Sequence, residues 1–525
     1  MIPDCPLVLA DMSFGDYSVM VLYLLAVMGI GVWFSRGKSD TVSYLLGGRG
    51  MPWWLIGISY VVSLLSTLTI VGVPGEAYTN GVTLAIGNLM SPVFAILTFY
   101  LFVRFYFVKR VFTPFEYLGR RFGPCIQAMA AGYFWMSRVI YIGLVLYASA
   151  KVFTGANNWP VWSTILAVGG IGTLYTFLGG FKAVVWSDFI QFIVLVAGVG
   201  LIIAYAVPET PGGVWGVINY AIEHGRGAPE LAEPWFYGFS LNARVTILGL
   251  AAVIFNEQLF FNSSDQIALQ RLLSTSSYQQ AKRAMYTSVL LVTPLVLVLW
   301  FLGLAIFGFY GQLPADQRPV QGDLALFRFI ATQLPTPIPG LIIAAMLAAI
   351  MSTLDSGINS LATVATKDFY TRFFRPDATE SNQVAFSRVM TLATGVLAIL
   401  IGLGLNHTSE GIGATVLETA TAWLSLSVAL PPVFLLGMIS RRATSSDALI
   451  QLIIGWVVTA LMLIWYLTSQ NQPDGGISFL AVGIPGPLLA IGIGLLLSRR
   501  HPPMPGSRIC GLTFWSLNRN EVLDK

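Results

Sequence analysis

The chain has 525 residues, 55% of them hydrophobic and only 10% charged, with a formal net charge of +4 and a mean hydropathy of +0.73. Soluble domains carry about 25% charged residues; this composition excludes a soluble enzyme or a basic nucleic-acid-binding module. Apolar runs of roughly 20 residues recur along the whole length, as in a polytopic membrane protein.

The first stretch, MIPDCPLVLADMSFGDYS, has no Lys or Arg, so a cleaved signal peptide is not expected. Apolar runs read against polar breaks give thirteen spans, near 17–35, 52–78, 84–109, 124–153, 160–180, 184–207, 240–264, 281–311, 337–370, 384–406, 414–439, 445–468 and 476–498. The longest hydrophilic stretches are a loop near 208–240 and a tail after about 499. Basic residues cluster in alternate loops: SRGKSD with Arg49; Arg104, Lys109, Arg110, Arg120 and Arg121; Arg271, Lys282 and Arg283; Lys367, Arg372 and Arg375; Arg441 and Arg442; and the tail from Arg499. The positive-inside rule then puts the N-terminus outside and the tail in the cytoplasm. The expected location is the plasma membrane, the inner membrane if the source is bacterial.

No enzyme or pump motif is visible. His224, His407 and His501 fall in expected loops or the tail, without metal spacing. GKS at 37–39 lacks the earlier glycine of a phosphate loop, since position 32 is Val, and it follows a span rather than a strand. Cys5, Cys125 and Cys510 are far apart and read as unpaired thiols. Without a nucleotide site, any transport is passive or draws on an ion gradient.

Polar groups inside a membrane cost free energy unless satisfied, so they are the candidate functional residues. The ninth span, in LAAIMSTLDSGINSLATVATKDFY, places Ala349, Ser352 or Thr353, and Ser356 on one helical face, with Asp355 and Asn359 as an i, i+4 pair beside it. Hydroxyls and a carboxylate with no imidazole or thiol nearby suit a hard cation such as sodium; the alternative is polar helix packing. In the second span, ISYVVSLLSTLTIVGVPGEAY, Ser63, Ser66, Thr67 and Thr69 interrupt an apolar run that ends in Gly72, Pro74 and Gly75. Such a segment can break its helix and free carbonyls for a cation, or it is a proline kink. The seventh span carries Asn256, Glu257, Gln258, Asn262 and Asp265; Asp265 reads as a solvated cap, Glu257 as a deeper group. Asp188 opens the sixth span, where an acid also suits the helix dipole. Arg138 lies midway along the fourth and faces either a polar cavity or an ion-pair partner, Glu257 or Asp188.

Five fragments in order resemble the sodium:solute symporter family over roughly residues 20–500: YLLGGRGMPWW, TPFEYLGRRFG, GGFKAVVWSDFIQ, DQIALQR and MSTLDSGINSLATVATKDFY. The resemblance implies an all-α membrane protein with the leucine-transporter-type fold, a 5+5 inverted repeat with a site at mid-membrane between broken helices. It divides the chain into an outer N-terminus, first helix and first cytoplasmic loop (1–51), a first repeat (52–207), an extracellular loop (208–239), a second repeat (240–439), two peripheral helices (440–498) and a cytoplasmic tail (499–525). It further implies a sodium site from the carbonyls of Val62, Leu65 and Ala349 and the hydroxyls of Ser352 and Thr353. A second sodium site, present in some members, would use Asp188, Ser352, Ser356 and position 355. Here that position is Asp rather than the usual Ser, so this site holds a cation more strongly or is protonated instead. Arg138 matches a position where some members hold a substrate carboxylate, with Ser66, Thr69, Asn88, Glu257 and Gln258 as neighbours. The eighth span lacks the lysine of sugar-carrying members, in YTSVLLVTPLVLVLW.

The expectation is a sodium-coupled symporter for a small organic carboxylate, with a sugar or polyol symporter as the alternative in transport and a transporter-like sensor or passive channel as the alternative of another class. The coupling ion is Na+. No organic cofactor, nucleic acid or obligate protein partner is expected; the partners are the small-molecule substrate, sodium and the lipid bilayer.

Overall fold

The computed structural model describes residues 13–35, 40–157, 160–320, 322–408, 421–469 and 476–517, and these are helical with no strand among them. Parts of the expected reading fall outside the described residues: Cys5, the GKS at 37–39, the start of the eleventh span and the end of the tail. Among the described residues ten helices are long and apolar enough to cross a membrane, and eleven when the bent pair Trp53–Leu64 and Thr69–Asn80 is taken as one span. Length and apolarity thus stop short of the expected thirteen, for two physical reasons. The helix α8 (Val161–Ala206) is counted once, yet its 46 residues would run about 69 Å at 1.5 Å each, over twice a hydrocarbon core of about 30 Å. It is divided at Gly180, whose φ of 60° and ψ of −160° leave the helix. A Cβ there would meet Tyr44 ring carbons at 2.8 and 2.9 Å, so glycine is needed both for the conformation and for the approach. The second reason is α10 (Ile247–Ser263), 17 residues long and too short for the length test.

Among the described residues the second span is broken, and a second helix break follows the seventh span. The helix α3 (Trp53–Leu64) gives way to α4 (Thr67–Asn80) through Leu65 (φ −90°, ψ 94°) and Ser66 (φ −85°, ψ 168°), with a bend of 57°. Serine hydroxyls compete for backbone partners and favour N-cap positions; Ser63 donates to the Tyr60 carbonyl (2.8 Å), and Ser66 stands at the N-cap of α4. Ser66 makes no side-chain cap bond, and Pro74 lies further along, inside α4, so the interruption falls at the hydroxyl-rich junction and not at the proline. The second break separates α10 from α11 (Gln266–Leu273), where Asp265 caps α11 by accepting the Ile267 amide (2.9 Å). Two connections read as loops contain helices: Gly213–Glu223 within 208–240, and Gly322–Gln333 before the ninth span.

At the centre is α14 (Ile338–Val364), continued by a π-helical stretch, Ala365–Phe374. Its apolar window is 94% buried, whereas the first helix, α1 (Phe14–Ser35), is 22% buried over its own. The helix α14 packs against α8, against α1 and against α7 (Pro124–Asn157). It threads two apolar clusters, one holding its residues up to Met351 and the other those from Leu354. Ser352 and Thr353 sit at the seam. The broken helix crosses the same seam: Leu55, Ile56 and Tyr60 belong to one cluster, Val61, Leu65 and Ile70 to the other.

Candidate functional site

At that seam, the break in α3–α4 faces α14. In an unbroken helix the Thr69 amide would take the Leu65 carbonyl; here it bonds Ser66 O at 2.9 Å, which frees Leu65 O from the ladder. The Val62 carbonyl accepts a tightened bond from the Leu65 amide (3.2 Å) and is also met by Ser352 Oγ at 3.4 Å. Ser352 Oγ donates to Ala349 O (3.0 Å), and Thr353 Oγ1 reaches the same carbonyl at 3.1 Å. Ser352 is fully buried and Thr353 is 6% exposed. A hydroxyl has one proton and two lone pairs, so each can keep its carbonyl bond and still offer oxygen to a cation. Of the residues expected from the sequence, Val62, Ala349, Ser352 and Thr353 thus come together as a patch of oxygens, with Leu65 at the break beside them, and among the described residues no nitrogen donor side chain bonds the patch.

The region around Asp188 differs from the sequence expectation. Arg271, in a short helix where no span was expected to supply a charge, sends its guanidinium into the fold and is almost wholly buried. Its Nη2 bonds Asp188 Oδ2 at 2.8 Å and Ser356 Oγ at 2.5 Å, its Nε bonds Ser59 Oγ at 2.8 Å and Ser59 O at 3.1 Å, and its Nη1 bonds Ile267 O at 3.0 Å. Ser59 also donates a short bond to Asp188 Oδ2. The positive charge between Asp188 and Ser356 is therefore supplied by the protein itself. Asp355 turns one oxygen back onto the Ser356 amide (2.6 Å) and hydroxyl (3.3 Å). What remains without a hydrogen-bond partner, all of it buried, is Asp355 Oδ2, Asp188 Oδ1, both ends of the Gln191 amide and the Tyr23 hydroxyl. Tyr23 lies against Gln191 and within electrostatic reach of both acids. Tyr23 and Gln191 were missed because a tyrosine in the first span and a glutamine three residues after Asp188 carry no local signal. Asn359 is held through its Oδ1, which accepts from Gln270 Nε2 at 2.8 Å, while its buried Nδ2 has no hydrogen-bond partner.

Arg138 is paired, but with neither expected acid. Its Nη2 meets Asp265 Oδ2 at 2.7 Å, with both side chains buried, so Asp265 is a cap sealed from solvent and not a solvated one. The reason is the break before α11, which turns the cap inward toward α7. The guanidinium lies over Phe260 (4.8 Å) and Tyr141 (5.4 Å), and its Nε has no partner. Tyr141, also missed, sits against Ser66 and within reach of Arg138 and Glu257. Glu257 faces a small cavity of about 10 Å³ lined with Asn256, Ser425 and Gly483. The other expected substrate residues are engaged elsewhere: Asn88 Oδ1 accepts from the Trp300 indole (2.9 Å), and Gln258 Nε2 donates to Ser91 (3.1 Å). Thr69 is partly buried beside the break.

Against known proteins, the model of the sodium:solute symporter family matches residues 44–455. The chain belongs to the sodium:solute symporter family. It is 27% identical to the sodium/sialic acid symporter SiaT of Proteus mirabilis, covering 88% of this chain and 92% of that one, and 26% identical to the sodium/sialic acid symporter NanT of Aliivibrio fischeri, covering 92% and 93%. The sodium/glucose cotransporter of Vibrio parahaemolyticus is 27% identical, covering 84% of this chain and 83% of its own. A solved structure of a Na+-coupled sialic acid symporter in a substrate-bound outward-open state superposes with a TM-score of 0.83 at 24% identity, covering 94% of this chain and 99% of that one. A nucleobase-cation-symport-1 family transporter gives 0.56 at 12% identity, covering 90% and 99%. The fold is the all-α, leucine-transporter-type fold of membrane symporters, and this family member is a transporter, not an enzyme.

Proposed function

We propose that this sodium:solute symporter imports a small organic carboxylate by alternating access, driven by sodium bound at Val62, Leu65, Ala349, Ser352 and Thr353. The observation that carries the reading is the contact of the Val62 carbonyl at the helix break with Ser352 Oγ, which shares the Ala349 carbonyl with Thr353 Oγ1, at the seam between apolar clusters. Ion binding there joins the broken span to the central helix, so occupancy and helix position are linked. A second sodium would be taken by the unpartnered oxygens of Asp355, Asp188, Gln191 and Tyr23, with Ser352 and Ser356 as the hydroxyls of the same site. The protein sits in the plasma membrane, the inner membrane if the source is bacterial, with its basic face in the cytoplasm.

Three things support a carboxylate. Arg138 Nε is unpartnered, and its guanidinium lies over Tyr141, which sits against Ser66. Two of the relatives are sialic acid symporters, and a human relative, 25% identical over 87% of this chain, is a sodium-coupled monocarboxylate transporter. The eighth span also lacks a lysine across YTSVLLVTPLVLVLW. Two observations favour the sugar or polyol alternative: Arg138 already has a carboxylate partner in Asp265, which lowers its need for a second, and the relatives also include the sodium/glucose cotransporter at 27% identity. Uptake into proteoliposomes separates the readings. Sialic acid, a short monocarboxylate, glucose and myo-inositol are each supplied with and without an inward sodium gradient. The carboxylate reading expects gradient-driven uptake of an acid. Gradient-driven uptake of glucose or inositol alone overturns it in favour of the polyol reading, and gradient-independent equilibration points to a passive channel.

A further inference from the structure

The basic face of the molecule holds a cavity of about 380 Å³ lined by Phe112, Glu116, Arg120, Gln127, Lys367 and Arg372. We infer that it binds a phosphate group carried on a small organic moiety, such as the glycerol-phosphate headgroup of an anionic lipid. The cavity lies where several elements end: α5 (Ala85–Lys109), the short helix α6 (Pro114–Phe122), the first turn of α7 and the π-helical continuation of α14. A π-helix closes bonds from i to i+5 and widens the turn, and such stretches are frequent at functional sites. Here the wide turn sets Lys367, Thr371 and Arg372 on one wall.

The lining is cationic in excess, with Arg120, Lys367 and Arg372 against Glu116 alone. Glu116 is already committed, accepting the Phe112 amide at 3.0 Å and lying 3.8 Å from Arg120. Lys367 is held in place by Gln383 (2.8 Å) and by the Phe112 ring (4.0 Å), which leaves ammonium protons for a ligand. Arg120 Nη1 is anchored on Lys109 O at 3.0 Å. Gln127 is fixed by donating to the buried Asp368 (2.7 Å). Guanidinium forks and an ammonium converging on one space suit a phosphate, and basic pockets between helices on the cytoplasmic side of a membrane protein take anionic headgroups. A bare phosphate is far smaller than this cavity, which has the size of a small-molecule site; hence the attached organic group. The inference stands apart from the substrate reading.

The test uses the full-length protein purified in a neutral detergent. Its thermal denaturation is followed with inorganic phosphate, glycerol 3-phosphate, short-chain phosphatidylglycerol and short-chain phosphatidylcholine. Protection is expected from phosphatidylglycerol or glycerol 3-phosphate, and the apparent affinity should weaken by about tenfold or more in Arg372→Gln and further in Lys367→Gln/Arg372→Gln. Arg372 is exposed, so its variant should elute as a single species with the melting temperature of the unliganded parent. Protection by the lipid alone assigns the site to a membrane headgroup; equal protection by glycerol 3-phosphate assigns it to a soluble phosphate ester. No protection by any phosphate compound, equal protection by phosphatidylcholine, or unchanged affinity in both variants overturns the inference.

Discussion

Removing Arg271 should unfold the centre of the protein more than removing its acidic partner does. In Arg271→Met, Asp188 loses the 2.8 Å ion pair, Ser356 and Ser59 lose their donors, and a buried carboxylate is left with one short serine bond. Breaking a buried pair from one side costs about 3–5 kcal/mol, because the remaining charge is uncompensated. Asp188→Asn strands the buried guanidinium in its turn, but Ser59, Ser356 and Ile267 oxygens still accept from it, so its cost should fall at the lower end of that range. In the double variant the stranded charge is gone. A double-mutant cycle should then give a coupling of up to about 3 kcal/mol, with the double variant far less damaged than the sum of the single ones. Equilibrium denaturation with dodecyl sulfate in mixed micelles, followed by tryptophan fluorescence, measures all four corners. Additivity within about 0.5 kcal/mol would show that Arg271 and Asp188 do not share one network, and the account of this region fails.

If the unpartnered oxygens around Asp355 take a second sodium, uptake should show a Hill coefficient above one for sodium, falling toward one in Asp355→Ala and in Gln191→Leu; a parent coefficient of one, unchanged in both variants, rules that ion out. Arg138→Lys keeps the charge but loses the planar fork between Asp265 and the open Nε, so apparent substrate affinity should fall by an amount equivalent to about 1.5–3 kcal/mol, read as the substrate concentration for half-maximal uptake. Normal affinity in that variant makes Arg138 structural. Gly180→Ala forces a Cβ to within 2.8 Å of the Tyr44 ring at a positive φ, and should lower the melting temperature well below that of Gly170→Ala, where a Cβ meets nothing within 4 Å. Equal melting temperatures would show that the division of α8 does not depend on this residue.

The apolar spans, the hydroxyl-rich break in the second and the buried hydroxyl face of the ninth were legible because each has a local signature: apolar length, Ser and Thr within an apolar run, helical spacing. What the sequence could not carry is pairing across the fold. Asp265 looked like a solvated cap because capping is local, whereas its burial against Arg138 depends on where the break in α10–α11 points. Arg271 looked like one more basic residue on the cytoplasmic side; its reach into the fold to Asp188 and Ser356 is set by a helix of only eight residues lying under α3. Asn88 and Gln258 were grouped with the substrate residues by position, yet each spends its hydrogen bond on a neighbouring helix. Tyr23, Tyr141 and Gln191 have ordinary sequence surroundings and become notable only once their polar atoms are found buried near acids.

The central claim is that the oxygens at the seam between α3–α4 and α14 hold the coupling sodium. The direct measurement is the sodium dependence of substrate uptake in proteoliposomes for the parent, Ser352→Ala and Thr353→Ala. Each variant deletes one hydroxyl that lies 3.0–3.1 Å from the Ala349 carbonyl in a packed helix, where no other group can take its place. A bond to a charged partner is worth about 1.5–3 kcal/mol, so the sodium concentration for half-maximal uptake should rise about tenfold or more in each. Sodium dependence equal to the parent's in both variants contradicts the account.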